Sequence, residues 1–252
     1  MIDAPLSPEI ADNTPVHSPL YSSPVLYDCP NFKMLSVVCQ TDELVIRKLL
    51  SYSPFEFVTN KFILYVADMQ ECTLGPFNDA GIIVPAKFRG TVGGYVAYEY
   101  ITTDVGLAAG REPWGYPKKI AQVSLRNSRN IVKASVIRNK RMLLKVDCQL
   151  SSSPIDLPEV PRNPVLLYQV IPRPDKPGPL FRRVISREVP VFGQEKVVKR
   201  YGKASLKLYK SEKDPISDLE PLRIFGATYS ISYYKSQWGK VLATLENNLQ
   251  DT

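Results

Sequence analysis

Residues Gly106–Ala121 read GLAAGREPWGYPKKIA, and the meaning of Lys118 and Lys119 within them decides how the rest of the chain is read. Small residues lead into Gly110-Arg111-Glu112. Pro113 and Pro117 keep any helix here short. A dibasic pair is ordinarily two solvated side chains, yet this one stands between an aromatic–proline step and Ile120. A free lysine amine has a pKa near ~10.4 and is almost wholly protonated at neutral pH. It becomes a nucleophile when burial or a neighbouring cation disfavours its charged form. On an extended strand, side chains 118 and 119 point to opposite faces. The expected activating influence is therefore desolvation of Lys118 in an apolar setting shared with Tyr116 and Ile120, with Lys119 set apart.

Outward from this stretch the pattern is mostly strands. Phe32–Cys39 reads FKMLSVVC. Thr41 is the expected N-cap of a short helix with Asp42 and Glu43 in its first turn, and Val45/Leu49 and Ile46/Leu50 give that helix an apolar face. Lys61–Ala67, Gly81–Ala86, Tyr95–Ile101, Ile131–Ile137, Met142–Leu150, Val165–Ile171, Val184–Val191 and the alternation over Ala204–Leu208 are further strands. Arg138-Asn139-Lys140-Arg141 is a hairpin turn. Gln237–Leu249 is expected as a terminal helix. Residues 1–30, rich in Pro and Ser, read as an extended arm, and 31–252 as one domain. The class is β-rich α+β: a large antiparallel sheet able to curl or close, with a few short helices.

Composition narrows the function. The chain has 252 residues and a single histidine, His17, in the N-terminal stretch. That argues against a histidine metal site and against a histidine-activated serine or cysteine. Cys29, Cys39, Cys72 and Cys148 form no CxxC pair and read as small buried hydrophobes of a reducing, cytoplasmic setting. No secretory signal and no membrane-length apolar run is visible. The net charge of +7 is concentrated between Arg182 and Lys210. The expected meaning is solvated strand faces. A basic module binding nucleic acid is the weaker alternative, since no recognition helix or RNA-binding aromatic motif accompanies the charge.

The order Gly110-Arg111-Glu112…Tyr116-Pro117-Lys118-Lys119 resembles the signature of the acetoacetate decarboxylase family. Upstream, Gly75 to Gly81 and Pro85 resemble the family's G-x-x-x-E-x-G…P segment, and Phe88, Gly90, Gly94 and Tyr95 its F-x-G…G-x-Y. Downstream, Asn163-Pro164 to Pro172 resembles an R-P-N…I-P segment. The likeness spans about 30–249. It implies a cone-like antiparallel β-barrel assembled as a homo-oligomer, a small keto-acid substrate, and no metal or cofactor. It implies that Lys118 forms a Schiff base, and acetoacetate decarboxylase is itself the standing example of a lysine so activated. Asp79 stands in for a family glutamate, as a proton-handling or electrostatic group. A second family glutamate corresponds to Leu64, and a family arginine to Phe32, while the neighbouring Lys33 points to the other face. These two positions and Tyr116 become the expected pocket wall, more apolar than the family's. Lys119, Arg111 and Glu112 are the expected neighbours tuning or bracing Lys118, with Arg111–Glu112 as a structural ion pair. Trp114 is a packing aromatic, and Glu99 is expected to point to solvent. The implied reaction is decarboxylation of acetoacetate or a longer β-keto acid, with an aldol-type or dehydration step on a larger keto acid as the alternative.

Overall fold

Alternating burial along each strand shows how the sheet forms. In Arg141–Ser151, Leu144, Val146, Cys148 and Leu150 are buried while Lys145 and Gln149 are exposed. That strand is joined to Ile131–Arg138 through Asn139 and Lys140, both at positive φ (51° and 61°), the two-residue turn whose twist suits a hairpin. The computed structural model describes residues 13–22, 25–151, 153–189, 191–192 and 198–245. Its strands are β1 (Asp28–Gln40), β2 (Glu56–Phe57), β3 (Lys61–Met69), β4 (Phe77–Phe88), β5 (Thr91–Ile101), β6 (Lys118–Ile120), β7 (Gln122–Ser128), β8 (Ile131–Arg138), β9 (Arg141–Ser151), β10 (Val165–Pro172), β11 (Pro179–Arg187), β12 (Val191–Phe192), β13 (Val198–Leu208), β14 (Arg223–Lys235) and β15 (Gly239–Leu245). All join one sheet, in the order β15-β11-β10-β5-β4-β3-β1-β14-β13-β9-β8-β7, with β12 beside β14, β2 beside β4 and β6 beside β5. Pairing is antiparallel except for β5 with β6 and β5 with β10. The sheet curls without closing. Its β7 end returns to the middle, where Ala121 N donates to Ile101 O at 2.9 Å and Asn78 Nδ2 to Val123 O at 3.0 Å.

The curl gives the central strands two buried faces. On β3, Phe62, Leu64 and Val66 enter the main core with Leu35 and Val37 of β1, Ile82 of β4 and Val136 and Leu144 of β8 and β9. The intervening residues Tyr65, Ala67 and Met69 face the other way, into a smaller cluster with Phe32, Met34, Phe77, Ile101 and Tyr234. Side chains alternate strictly along a strand, so Leu64 and Tyr65 belong to different interiors. Leu64 is thus not a wall of the site built around Lys118. It is a fully buried core residue of the opposite face.

Two α-helices are described, with a 3-10 turn at Ile216–Leu219. α1 (Glu43–Leu50) is capped by Asp42, whose carboxylate accepts from Leu44 N at 2.7 Å, while the Thr41 hydroxyl instead donates to Glu220 O. α2 (Asp104–Trp114) starts at Thr103 and stops at Gly115, whose φ of 77° is the left-handed cap that a glycine adopts without strain. The expected C-terminal helix is strand β15 as far as Leu245, and its last residues lie outside the description, as do residues 1–12 of the expected arm. The later part of the arm is integral: Val25 is buried, Ser236 N donates to Tyr27 O at 2.8 Å, and β1 already begins at Asp28. Cys29 and Cys72 are joined as a disulfide rather than standing as separate buried thiols, whereas Cys39 and Cys148 are free and buried. No described helix is long and apolar enough to cross a membrane.

Leu64→Ala is expected to destabilise the chain by about 2–5 kcal/mol, the range for emptying a core leucine site, while leaving reactivity at Lys118 intact. Denaturant titration and an activity assay on the same sample measure both; lost reactivity with unchanged stability would put Leu64 back at the site.

Candidate functional site

A row of paired residues runs across four strands. Tyr65 of β3 lies opposite Gly81 of β4, Gly81 opposite Glu99 of β5, and Glu99 beside Lys118 of the parallel β6. Two places along β4 from Gly81, on the same face, is Asp79. Lys118 Nζ lies 3.0 Å from Glu99 Oε1 and 3.4 Å from Asp79 Oδ2. Tyr65 donates its hydroxyl to Glu99 Oε1 at 2.8 Å. All three charged residues are buried, at 6% exposure for Lys118, 3% for Glu99 and 5% for Asp79.

The glycines of the motifs have steric reasons. A Cβ on Gly81 would sit 2.8 Å from the Tyr65 ring and hydroxyl, so only glycine lets Tyr65 cross β4 to reach Glu99. A Cβ on Gly110 would run into the Cδ and Cε of Lys118. Helix α2 therefore lies directly over the lysine stem and seals it from water, with Tyr116 beside it: Nζ is 5.3 Å from that ring's centroid.

The electrostatics differ from the sequence expectation in one respect. Burial alone would lower the Lys118 pKa, as anticipated, but Glu99 and then Asp79 outweigh it and hold the amine above its ordinary value. The resting group is an ammonium. The strain falls on Asp79, pushed up to about 7 by burial, partly relieved by Lys118 and increased again by Glu99. One cation cannot neutralise two carboxylates, so the aspartate takes up and releases a proton near neutrality. Asp79 Oδ1 and Glu99 Oε2 are both buried without a hydrogen-bond partner. Two acceptors left open beside an amine are suited to a polar ligand.

The other anticipated residues are dispersed. Lys119 points to the far face of β6 and binds the Lys213 carbonyl and the buried Asp214, each at 2.8 Å. Arg111 and Glu112 are exposed, and among the described residues no ion pair joins them; Glu112 accepts from Tyr21 at 2.7 Å. None of these three tunes Lys118 by contact. Phe32 is half-buried on the site's face, its ring 5.6 Å from that of Tyr234, while Lys33 turns away to Asp68. Ile120 is 47% exposed and does not line the site, and Trp114 packs as expected.

Glu99 was missed because a single acid on a strand usually marks the wet face. The available signal was that both alternating sets of β5 are apolar, Val96/Tyr98/Tyr100 and Ala97/Ile101, which leaves no wet face for it. Tyr65, Tyr27 and Tyr234 carried no signal beyond being aromatic.

Asp79 gives the site a pH signature. A carboxyl raised in the folded state binds its proton more tightly there than in the unfolded chain. Its stabilising contribution is complete below about pH 4 and is lost as pH rises towards its folded value of about 7. Denaturant titrations across that window should show wild type losing stability relative to Asp79→Asn as pH rises; parallel curves would mean that Asp79 is an ordinary carboxylate.

Comparison with known proteins identifies the fold and the family. The family model for acetoacetate decarboxylase matches residues 13–245. "Acetoacetate decarboxylase 2" of Mesorhizobium japonicum is 26% identical over 236 residues, covering 90% of this chain and 87% of its own. Among solved structures, an acetoacetate decarboxylase superposes with a TM-score of 0.81 at 20% identity, over 95% of this chain and 96% of that one. The enduracididine biosynthesis enzyme MppR, solved with the condensation product of pyruvate and imidazole 4-carboxaldehyde, superposes with a TM-score of 0.73 at 15% identity, over 95% of this chain and 99% of its own. With the family model spanning nearly all of the described chain, the protein belongs to the acetoacetate decarboxylase family.

Proposed function

We propose that the protein is a lyase acting on a keto acid through an imine on Lys118, and that its reaction is decarboxylation of a β-keto acid. The observation that carries this is an amine sealed from water within reach of two carboxylates, each with an oxygen left unpartnered. As the carbonyl approaches, the ammonium passes a proton to Asp79 in its ionised form, whose affinity for it lies near neutral pH. The freed amine adds to the carbonyl carbon, and the resulting hydroxyl takes that proton from Asp79 and leaves as water, giving an iminium ion and an ionised Asp79. The bond from the α-carbon to the carboxylate then breaks. Its electron pair moves through carbon to the iminium nitrogen, leaving an enamine and CO₂. A proton taken up from solvent and delivered through Asp79 adds to the α-carbon, and water hydrolyses the iminium to the ketone and the Lys118 ammonium.

The same pair acts on the bound substrate. A substrate carboxylate desolvated beside Glu99 and an ionised Asp79 is raised in energy, and that penalty vanishes as it leaves as neutral CO₂. The arrangement departs from the family pattern by a shorter side chain at Asp79 and an aromatic ring at Phe32 in place of an arginine. A wall of Phe32, Tyr27, Tyr116 and Tyr234 suits a substrate bulkier than acetoacetate.

A second reading keeps the imine and lets the enamine attack an aldehyde, or lets an imine expel water, in place of losing CO₂. The likeness to MppR with a bound pyruvate condensation product favours it.

Borohydride reduction in the presence of a keto acid should leave a covalent adduct on Lys118, absent from Lys118→Ala. An adduct that persists in that variant overturns the assignment. CO₂ release, measured against keto-acid consumption over a panel of substrates, separates the two reactions: equal amounts support decarboxylation, whereas keto-acid loss without CO₂ supports condensation or dehydration.

A further inference from the structure

The basic run between Arg182 and Lys210 is mostly what it was expected to be: Lys199, Lys203, Lys207 and Lys210 are exposed, and Lys196 lies outside the described residues. Arg187, the last residue of β11, is the exception at 2% exposure. Its Nε donates to Gln237 O at 2.8 Å and its Nη1 to the Tyr116 hydroxyl at 3.0 Å. The guanidinium carbon lies 3.9 Å from the centroid of the Trp114 ring. Its Nη2 is buried with no partner, and among the described residues no carboxylate comes within ion-pair reach. A guanidinium keeps its charge at any working pH, so burial without a counter-ion is costly. Stacking on Trp114 and the tyrosine contacts offset only part of that cost.

Its position makes the missing partner meaningful. The Tyr116 ring centroid is 5.3 Å from Lys118 Nζ and 5.8 Å from Arg187 Cζ, so the two cations flank one aromatic ring. At the Lys118 end, Asp79 and Glu99 offer open acceptors; at the Arg187 end there is an open donor. We propose that Arg187 binds a carboxylate of the substrate, one that the reaction retains. This rests on the imine reading of Lys118. The carboxylate that departs must lie against the imine, beside Asp79 and Glu99. Pairing it with a guanidinium would favour the ground state over a transition state in which its charge is disappearing, which slows the reaction. A retained carboxylate has no such conflict, and the open Nη2 can donate to it in a charge-assisted hydrogen bond. The substrate class is then a keto acid with a second carboxylate remote from its carbonyl.

Levulinate, a 4-oxo acid, and its neutral methyl ester test this with a stable carbonyl, using borohydride trapping at Lys118 as the readout. In wild type, levulinate should half-saturate trapping at a concentration about tenfold or more below the ester. Arg187→Gln should abolish that preference, so that acid and ester half-saturate trapping alike, and Arg187→Lys should keep part of it. Equal trapping of acid and ester in wild type overturns the proposal, as does an Arg187→Gln variant of wild-type melting temperature that keeps the preference. If Arg187→Gln fails to fold, the wild-type comparison still decides. If neither carbonyl labels Lys118, the imine reading itself fails; labelling by both without preference removes only the role of Arg187.

Discussion

Two carboxylates and one ammonium share a space from which water is excluded, and the local architecture around them follows from that fact. Isolated buried charges cost several kcal/mol each even after relaxation, so Lys118, Glu99 and Asp79 can coexist only in mutual contact. The cross-sheet row Tyr65–Gly81–Glu99–Lys118 sets the charges at bonding distance. Gly81 clears the path of the tyrosine that satisfies Glu99, and Gly110 lets α2 close over the lysine stem. The remaining imbalance, one negative charge too many, raises the proton affinity of Asp79 until it exchanges its proton near neutrality. A site that stores its amine as an ammonium beside a ready acceptor need not hold a bare amine in the resting state.

The curled sheet makes this possible by burying both faces of the same strands. Leu64 and Tyr65 are chain neighbours, yet one packs against Val37 and Ile82 in the main core while the other bonds Glu99 at the site. The main core stabilises β3, β4 and β5 from one side, and the second face is thereby held in fixed register for its polar cluster. Rigid strands are better supports than loops for charges that must stay within a few tenths of an ångström of each other.

Much of this was readable from local pattern, and the rest depended on pairing that no local pattern contains. Alternation marked most of the strands, Asn139-Lys140 marked a tight turn, and burial of Lys118 with Lys119 on the opposite face followed from strand geometry. Leu64 was placed at the site by counting along the chain, and the count cannot tell which of two buried faces a position takes. Glu99 looked solitary because its partners are 19 and 34 residues away in sequence, at Lys118 and Tyr65. Arg187 was hidden in a run of solvated cations. The expectation of a neutral amine failed for the same reason: desolvation was legible from the apolar setting of Lys118, but the second carboxylate was not. Cys29 and Cys72, 43 residues apart, meet only because the end of the arm runs into β1.

The most direct test is titration of the Lys118 side chain itself, by NMR of selectively ¹⁵N-labelled lysine with Lys118→Arg to assign the signal. The resting protein should keep this amine protonated beyond the ordinary lysine value of ~10.4, and Glu99→Gln should move its titration downward. A Lys118 that is already neutral at pH 7 in wild type, unmoved by Glu99→Gln, would contradict the account.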